Sequence, residues 1–248
     1  MKIKIAAFIS LLFPPCKIKN MLLSLVGWKI APHVKIGFSY ICVKHVSLGE
    51  KSSVGHGNYI KVDCLYLEES AYIQKFNQIY GPLIVVLKKQ AAIGNLNKIV
   101  RAKHPVSWGH SMLKLGELSK VTSKHTIDCM RPVVFGDFST LAGYNSQIWS
   151  HGFMHALTGP GRYRVDGSIS IGDNVYIGSG SILNPGIKIV NGVIIGSNSS
   201  ISKSLLKSGL YVNQSLRFVE FEYDQGIQKY PMLNISKLND KVIHKKYD

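Results

Sequence analysis

The sequence holds nine histidines, and imidazole is the side chain best suited to moving protons near neutrality, because its unperturbed pKa of about 6.5 lies close to working pH. Two of them stand four residues apart in Ser150-His151-Gly-Phe-Met-His155, at the mouth of an irregular stretch, 152–168. A base placed there can take the proton of an attacking hydroxyl or amine, a contribution of about 10²–10⁴-fold in rate. Asn145, Trp149 and His125 are nearby candidates for contact with such an acceptor, as are His155 and Arg162 on the irregular stretch itself. An imidazole base also needs its other nitrogen held by a carboxylate or carbonyl; Asp137 and Asp166 are the candidate partners. Thiol chemistry is less expected. Cys16, Cys42, Cys64 and Cys129 are widely spaced with no C-x-x-C pair, which argues against a thiol metal site or a disulfide scaffold and favours a reducing compartment.

The elements that must position these groups announce themselves between 171 and 206. Ile171, Ile177, Leu183, Ile189, Ile195 and Ile201 recur every six residues, and Gly follows at 172, 178 and 196. Neither a helical period of 3.6 nor a strand period of 2 produces this. A fixed short period predicts a solenoid in which each hexapeptide forms one flat face of a triangular coil, with its aliphatic pointing inward. The period appears upstream with interruptions, through Leu48, Val54, Leu67, Ile73, Ile79, Leu87, Ile93, Leu115, Val121, Ile127, Phe135, Leu141 and Gln147. Breaks at about 101–112, 128–134 and 152–168 are expected to be loops projecting from the corners, where sites are usually built.

Ahead of the coil the chain is basic and apolar. No acidic residue precedes Glu50, whereas seven lysines do. Ile5 to Phe13 is an apolar run ended by Pro14-Pro15, too short to span a bilayer, which needs about 20 residues. A secretory signal is disfavoured because Cys16-Lys17 follows the prolines where a small-residue cleavage site would be needed. Ile18, Met21, Leu22 and Leu25 follow helical spacing. Two short amphipathic helices are expected, either resting on the cytoplasmic face of an anionic membrane or capping the coil. The domain reading is therefore a helical segment at 1–34, a solenoid at 35–206 and an extension at 207–248. Across 248 residues, 30 Lys and Arg against 14 Asp and Glu leave a net charge of +16. Such an excess attracts polyanions without choosing among them.

The segment Ser150 to His155, the coil Ile169-Ser-Ile-Gly-Asp-Asn-Val-Tyr-Ile-Gly-Ser179, the turn Asn184-Pro-Gly186 and the coils from Ile195 to Lys203 resemble, in that order, the hexapeptide-repeat acyltransferases, similar to galactoside, maltose and xenobiotic acetyltransferases. The resemblance is specific over about 135–217. It implies a left-handed parallel β-helix, a homotrimer, and acetyl-CoA as acyl donor in a groove between coils. It further implies that His151 is the general base and that Tyr176, Gly178, Ser179, Ser197, Ser202, Lys203 and Arg217 lie along the donor groove. Tyr176 stands where the family usually has Trp, and Asn213-Gln214-Ser215 replaces a Gly-x-Pro turn.

The expected function is O-acetylation of a sugar in a bacterial surface polysaccharide or its lipid-linked precursor. N-acetylation of an amino sugar is the near alternative. A metalloenzyme resembling γ-class carbonic anhydrases is a distant one, because His151 and His155 alone do not make its three-histidine pattern, and no metal site is expected. The charge also raises a polyanion binder, yet no nucleic-acid-binding signature is present, so nucleic acid is not an expected partner.

Overall fold

The computed structural model describes residues 2–103 and 107–213, together with the backbone of short strands at 217–219, 232–233 and 242–243. Two helices, Lys2–Leu12 and Lys17–Leu25, precede a three-sided parallel β-solenoid. With the hairpin strands at 151–155 and 162–166 set aside, successive strands of the eight coils fall in turn on three sheets, so that each hydrogen-bonds to the one three places later. We name these faces A, B and C in the order the chain visits them. Eight complete coils run from Lys29 to Ile201, and a ninth begins with Leu205, bridged to Ile189, and Gly209–Val212, beside Val193–Ile195. Pairing begins at Lys29–Ile30, against Ser47–Leu48, so the solenoid starts ahead of the expected boundary at 35.

The sixfold spacing has the predicted cause. Ile171 lies against Ile189, and Ile177 against Ile195, three hexapeptides to a coil. From Ile36 to Ile201 the inward aliphatics are closed to water, while Ile30 on the first strand is partly buried. On face C the stack runs Ile60, Ile79, Ile99, Ile127, Ile148 and Leu183, each 0 % exposed, and each such side chain contributes about 1.5–3 kcal/mol by burial. The earlier coils are longer because the corner from face C to face A takes extra residues there: Ile60 to Leu67 spans seven and Ile79 to Leu87 eight, against six from Leu183 to Ile189. Leu65 and Leu67, Val85 and Leu87, and Leu113 and Leu115 are all buried, and their strands have four residues. One expected repeat position is corrected. Ile148, not Gln147, points inward, because the corner at Gly143 and Asn145, both at positive φ, takes one more residue.

The corners are held by side chains that replace missing coil-to-coil hydrogen bonds. At the corner between faces B and C, each rung accepts the backbone N–H of the equivalent residue one coil later. Ser39 Oγ accepts from Asn58, Asn58 Oδ1 from Asn77, Asn77 Oδ1 from Asn97, and Asn97 Oδ1 from His125. His125 Nδ1 then accepts from Ser146 at 3.1 Å. Since Nδ1 is an acceptor, the proton sits on Nε2, which lies 2.9 Å from Thr122 Oγ1. His125 is buried, and burial pushes its pKa down to about 4. It is a structural rung and cannot touch an acceptor, contrary to the sequence reading.

The first coil has no coil before it, and the helices take that place. In a parallel ladder alternate residues bond to opposite neighbours, so Val34 and Ile36 turn their carbonyls away from the second coil. Asn20 Nδ2 donates to Val34 O. Lys19 Nζ, fully buried, donates to Ile36 O at 3.0 Å and Gly37 O at 2.8 Å, and also to Ser10 O and Phe13 O at the end of the first helix. Burial lowers the Lys19 pKa to about 8. The helices therefore cap the solenoid. Their outward side remains apolar, with Phe8, Leu12, Ile18, Met21 and Leu25 more than half exposed. No helix among the described residues is long and apolar enough to cross a membrane.

Candidate active site

The corner between faces C and A carries the irregular segments. In the fourth coil it leads into 101–103 and 107–111, in the sixth into a two-stranded antiparallel hairpin, His151–His155 with Arg162–Asp166. Between them the fifth coil turns compactly. The expected loop at 128–134 is instead a tight corner with Cys129 and Met130 buried, leading into the strand Val133–Phe135. Burial pushes the Cys129 thiol up, so it is protonated and inert.

Asp128 ends the face C strand of that compact coil, and its carboxylate organises the corner one coil on. Oδ2 accepts from Ser150 N at 3.0 Å, Ser150 Oγ at 2.7 Å and His151 Nδ1 at 2.8 Å. Ser150 Oγ in turn accepts from Arg131 N. An ionised carboxylate can only accept, so the proton of neutral His151 sits on Nδ1 and the Nε2 lone pair is left to meet a donor. The His151 side chain is 25 % exposed, enough to be reached from solvent. The orienting partner is therefore neither of the expected carboxylates. Asp137 Oδ1 accepts from Glu117 N at a different corner. Asp166 is the cross-strand neighbour of His151, but its carboxylate binds Arg164 Nε and Trp108 Nε1.

Along the hairpin, alternation puts His151, Phe153 and His155 on one side. The Phe153 ring stands edge-on to His151 with centroids 6.1 Å apart, and His155 lies 6.4 Å beyond it. Arg162, opposite His155, places its guanidinium 5.0 Å from the Phe153 ring. His155 and Arg162 thus adjoin the imidazole only through the Phe153 ring. Trp149 lies two residues before His151 on the outer side of face C, with its indole N–H on Gln147 Oε1. Asn145 does not join them. It lies at the corner that begins this face, at positive φ, six residues of extended chain or about 20 Å away.

Trp108 joins the two irregular segments, which the sequence did not signal. Its indole donates to Asp166 Oδ2 at 2.5 Å, and the Arg131 guanidinium covers its ring at 3.9 Å. Arg101, buried, holds the segment from beneath by donating to Trp108 O and Gly109 O, and to Pro82 O of the coil before. On the other side of Trp108 a cleft of about 910 Å³ runs along face C toward the helical cap.

The expected donor-groove residues fall in two groups. Ser202 and Lys203 are exposed on the same edge as His151, two coils on, about 10 Å at the spacing between strands. Gly178, Ser179 and Ser197 lie at the corner between faces B and C. Gly178 must be glycine, since a Cβ would sit 2.6 Å from Ser197 N. Ser179 Oγ accepts from Tyr144 N. Tyr176, exposed, lines a separate cleft of about 480 Å³ with Phe138 and Ile194. The side chain of Arg217 lies outside the described residues. Among the described residues no three His, Cys, Asp or Glu side chains converge.

Parallel registers that repeat coil after coil, with inward aliphatics throughout, decide the architecture. The chain is a hexapeptide-repeat β-solenoid. No family model matches it. Over 81 residues, 33% of the chain, it is 27% identical to a Bacillus subtilis (strain 168) protein named "Putative acetyltransferase YvoF"; that match spans 44% of the relative, less than half its length. Among solved structures it overlaps the polySia specific acetyltransferase NeuO, at 15% identity over 73% of this chain and 81% of that one, TM-score 0.42. It also overlaps a mutant of AntD, an N-acyltransferase from Bacillus cereus in complex with dTDP and coenzyme A, at 20% identity over 66% and 88%, TM-score 0.41. A maltose O-acetyltransferase from Clostridium difficile 630 overlaps at 14% identity over 88% and 83%, TM-score 0.30. The fold rests on the strand registers, not on these overlaps.

Proposed function

We propose that this solenoid is an acetyl-CoA-dependent O-acetyltransferase of a sugar in a surface polysaccharide or its lipid-linked precursor, with His151 as general base. The observation that carries this reading is the Asp128–His151 pair. It fixes the tautomer that leaves Nε2 able to accept a proton, at a corner lined by Phe153, His155 and Trp149. As the acceptor oxygen bonds to the acetyl carbonyl carbon, Nε2 takes its proton. The carbon–sulfur bond breaks, and the departing thiolate recovers that proton from the imidazolium. Ser202 and Lys203, on the same edge, suit the hydroxyl and phosphate groups of coenzyme A.

A homotrimer accounts for the second group of donor residues. One edge of the solenoid carries His151 and Lys203, another Gly178, Ser179 and Ser197, and a groove between two copies would unite them. Exposed apolar side chains near that second edge, Phe76 and Leu96, support burial against a partner. The outward apolar side of the helical cap, flanked by exposed Lys2, Lys4 and Lys17, supports peripheral attachment to the inner face of an anionic membrane.

The test is thiol release from acetyl-CoA by the purified chain in the presence of mono- and oligosaccharides, with product analysis. An alkali-labile acetyl ester formed by wild type and lost in His151→Ala is the expected result. An acid- and alkali-stable amide would assign N-acetylation. Full activity in His151→Ala, with the oligomer intact, would overturn the base assignment.

A further inference from the structure

The cleft of about 910 Å³ beside Trp108 is larger than a site for a small sugar requires and is built differently from the corner at His151. Lys44, Lys61, Arg101 and Lys103 line it against one carboxylate, Asp63. That carboxylate is taken by Lys44 at 2.5 Å. Lys61 and Lys103 are exposed, and their ammonium groups have no hydrogen-bond or ion-pair partner among the described residues. Tyr59, Tyr80, Val62 and Pro82 give the remaining wall an apolar character. Its far end is Ile3, in the first turn of the helical cap. The cleft therefore opens at the pole where Phe8, Leu12, Ile18, Met21 and Leu25 are exposed. Its other end is the indole that hydrogen-bonds the hairpin of His151.

A surplus of cations beside an apolar wall, continuous with an unpartnered apolar pole, matches a ligand with an anionic head and a hydrocarbon tail. We propose that this cleft receives the phosphate or diphosphate of an amphiphile anchored in the membrane on which the helical cap rests, with Lys61 and Lys103 as its phosphate contacts. Two lysines free of carboxylates can form charge-assisted hydrogen bonds to phosphate oxygens. The apolar wall and Ile3 can take the first carbons of the chain on its way to the bilayer. The head group beyond the phosphate then points along face C toward Trp108 and the corner of His151. This rests on the membrane part of the preceding reading and is independent of acetyl transfer.

The experiment is sedimentation of the full-length chain with three sets of vesicles: phosphatidylcholine, phosphatidylcholine with phosphatidylglycerol, and the latter with a minor fraction of a long-chain polyprenyl phosphate. Wild type is expected to bind the second set and to bind the third more tightly. The double variant Lys61→Ala/Lys103→Ala is expected to bind the second set as wild type does, while losing the extra affinity for the third, about fivefold per lysine. Phe8→Glu/Leu12→Glu is expected to lose all vesicle binding. Circular dichroism verifies that each variant is folded. A polyprenyl phosphate preference that survives Lys61→Ala/Lys103→Ala would overturn the cleft assignment. Absence of wild-type binding to every vesicle would overturn the membrane reading beneath it. Equal binding of soluble inorganic diphosphate and vesicle-borne phosphate would assign the cleft to a soluble anion instead. A dimer broken by Phe8→Glu/Leu12→Glu without vesicle binding would make the apolar pole a contact between copies.

Discussion

The imidazole of His151 and the carboxylate of Asp128 meet across one coil boundary, Nδ1 to Oδ2 at 2.8 Å, although 23 residues separate them in the chain. The same oxygen holds Ser150 through both its backbone N–H and its hydroxyl, so the imidazole and the chain that carries it are fixed by a single acceptor. His151→Ala is expected to reduce kcat by about 10²–10⁴-fold. Asp128→Asn, a positioning change, should lower kcat while leaving the KM for acetyl-CoA unchanged. Steady-state kinetics with donor and acceptor varied separately makes the distinction. A rise in donor KM with kcat preserved would assign Asp128 to binding.

His125 makes the solenoid sensitive to acid. Its pKa is about 4 in the fold against 6.5 in the free side chain, so between these values the unfolded chain binds a proton that the folded chain refuses. Stability is therefore complete above pH 6.5 and falls as pH drops toward 4, by on the order of 3 kcal/mol. Asparagine already fills this rung at 58, 77 and 97. His125→Asn should keep the ladder and flatten the decline, as denaturant melts at pH 7 and pH 4.5 would report. An unchanged acid decline in the variant would place the titrating group elsewhere.

Lys19 is the most heavily bonded side chain of the cap. Lys19→Met keeps much of the stem but removes the donor to four carbonyls, one of which, Ser10 O, keeps the N–H of Ser39, at a cost of at least about 2 kcal/mol. Limited proteolysis should cut the variant first between 13 and 28, while the coils remain resistant. Uniform resistance would show that packing alone holds the helices.

Trp108→Phe retains a ring beneath Arg131 but removes the N–H that reaches Asp166. The bond is worth roughly 1 kcal/mol, so the acceptor KM is expected to rise about fivefold with little change in the donor KM. Equal KM values for wild type and variant would mean that the bridge between the two segments plays no part in acceptor binding.

The coils are legible wherever every corner has the same length, as at 171–201. Upstream, one or two extra residues at the corner from face C to face A, as between Ile60 and Leu67 or Ile79 and Leu87, lengthen each coil and hide the period. Ile148 was missed because one extra residue at the Gly143–Asn145 corner shifts the frame by one. Asp128 carries no signal of its own, because it falls at 128–134, where the broken period predicts a loop. The signal that would have found it is an acid one full coil before His151 at the same corner. Trp108 had no comparable signal, since its contact with Asp166 spans 58 residues and two irregular segments that follow no period.

A stack of parallel strands has no natural last member, because each coil presents to the next the same pattern of donors and acceptors that it received. Lys19 and Asn20 occupy the carbonyls that a foreign coil would need at one pole, and the antiparallel strand Arg217–Val219 lies against the final parallel strand of face B at the other. These two devices interrupt the template at one pole and on one face of the other. Stripped of both helices, the chain would offer a bare template to the far end of another copy, and growth into filaments would be limited only by supply.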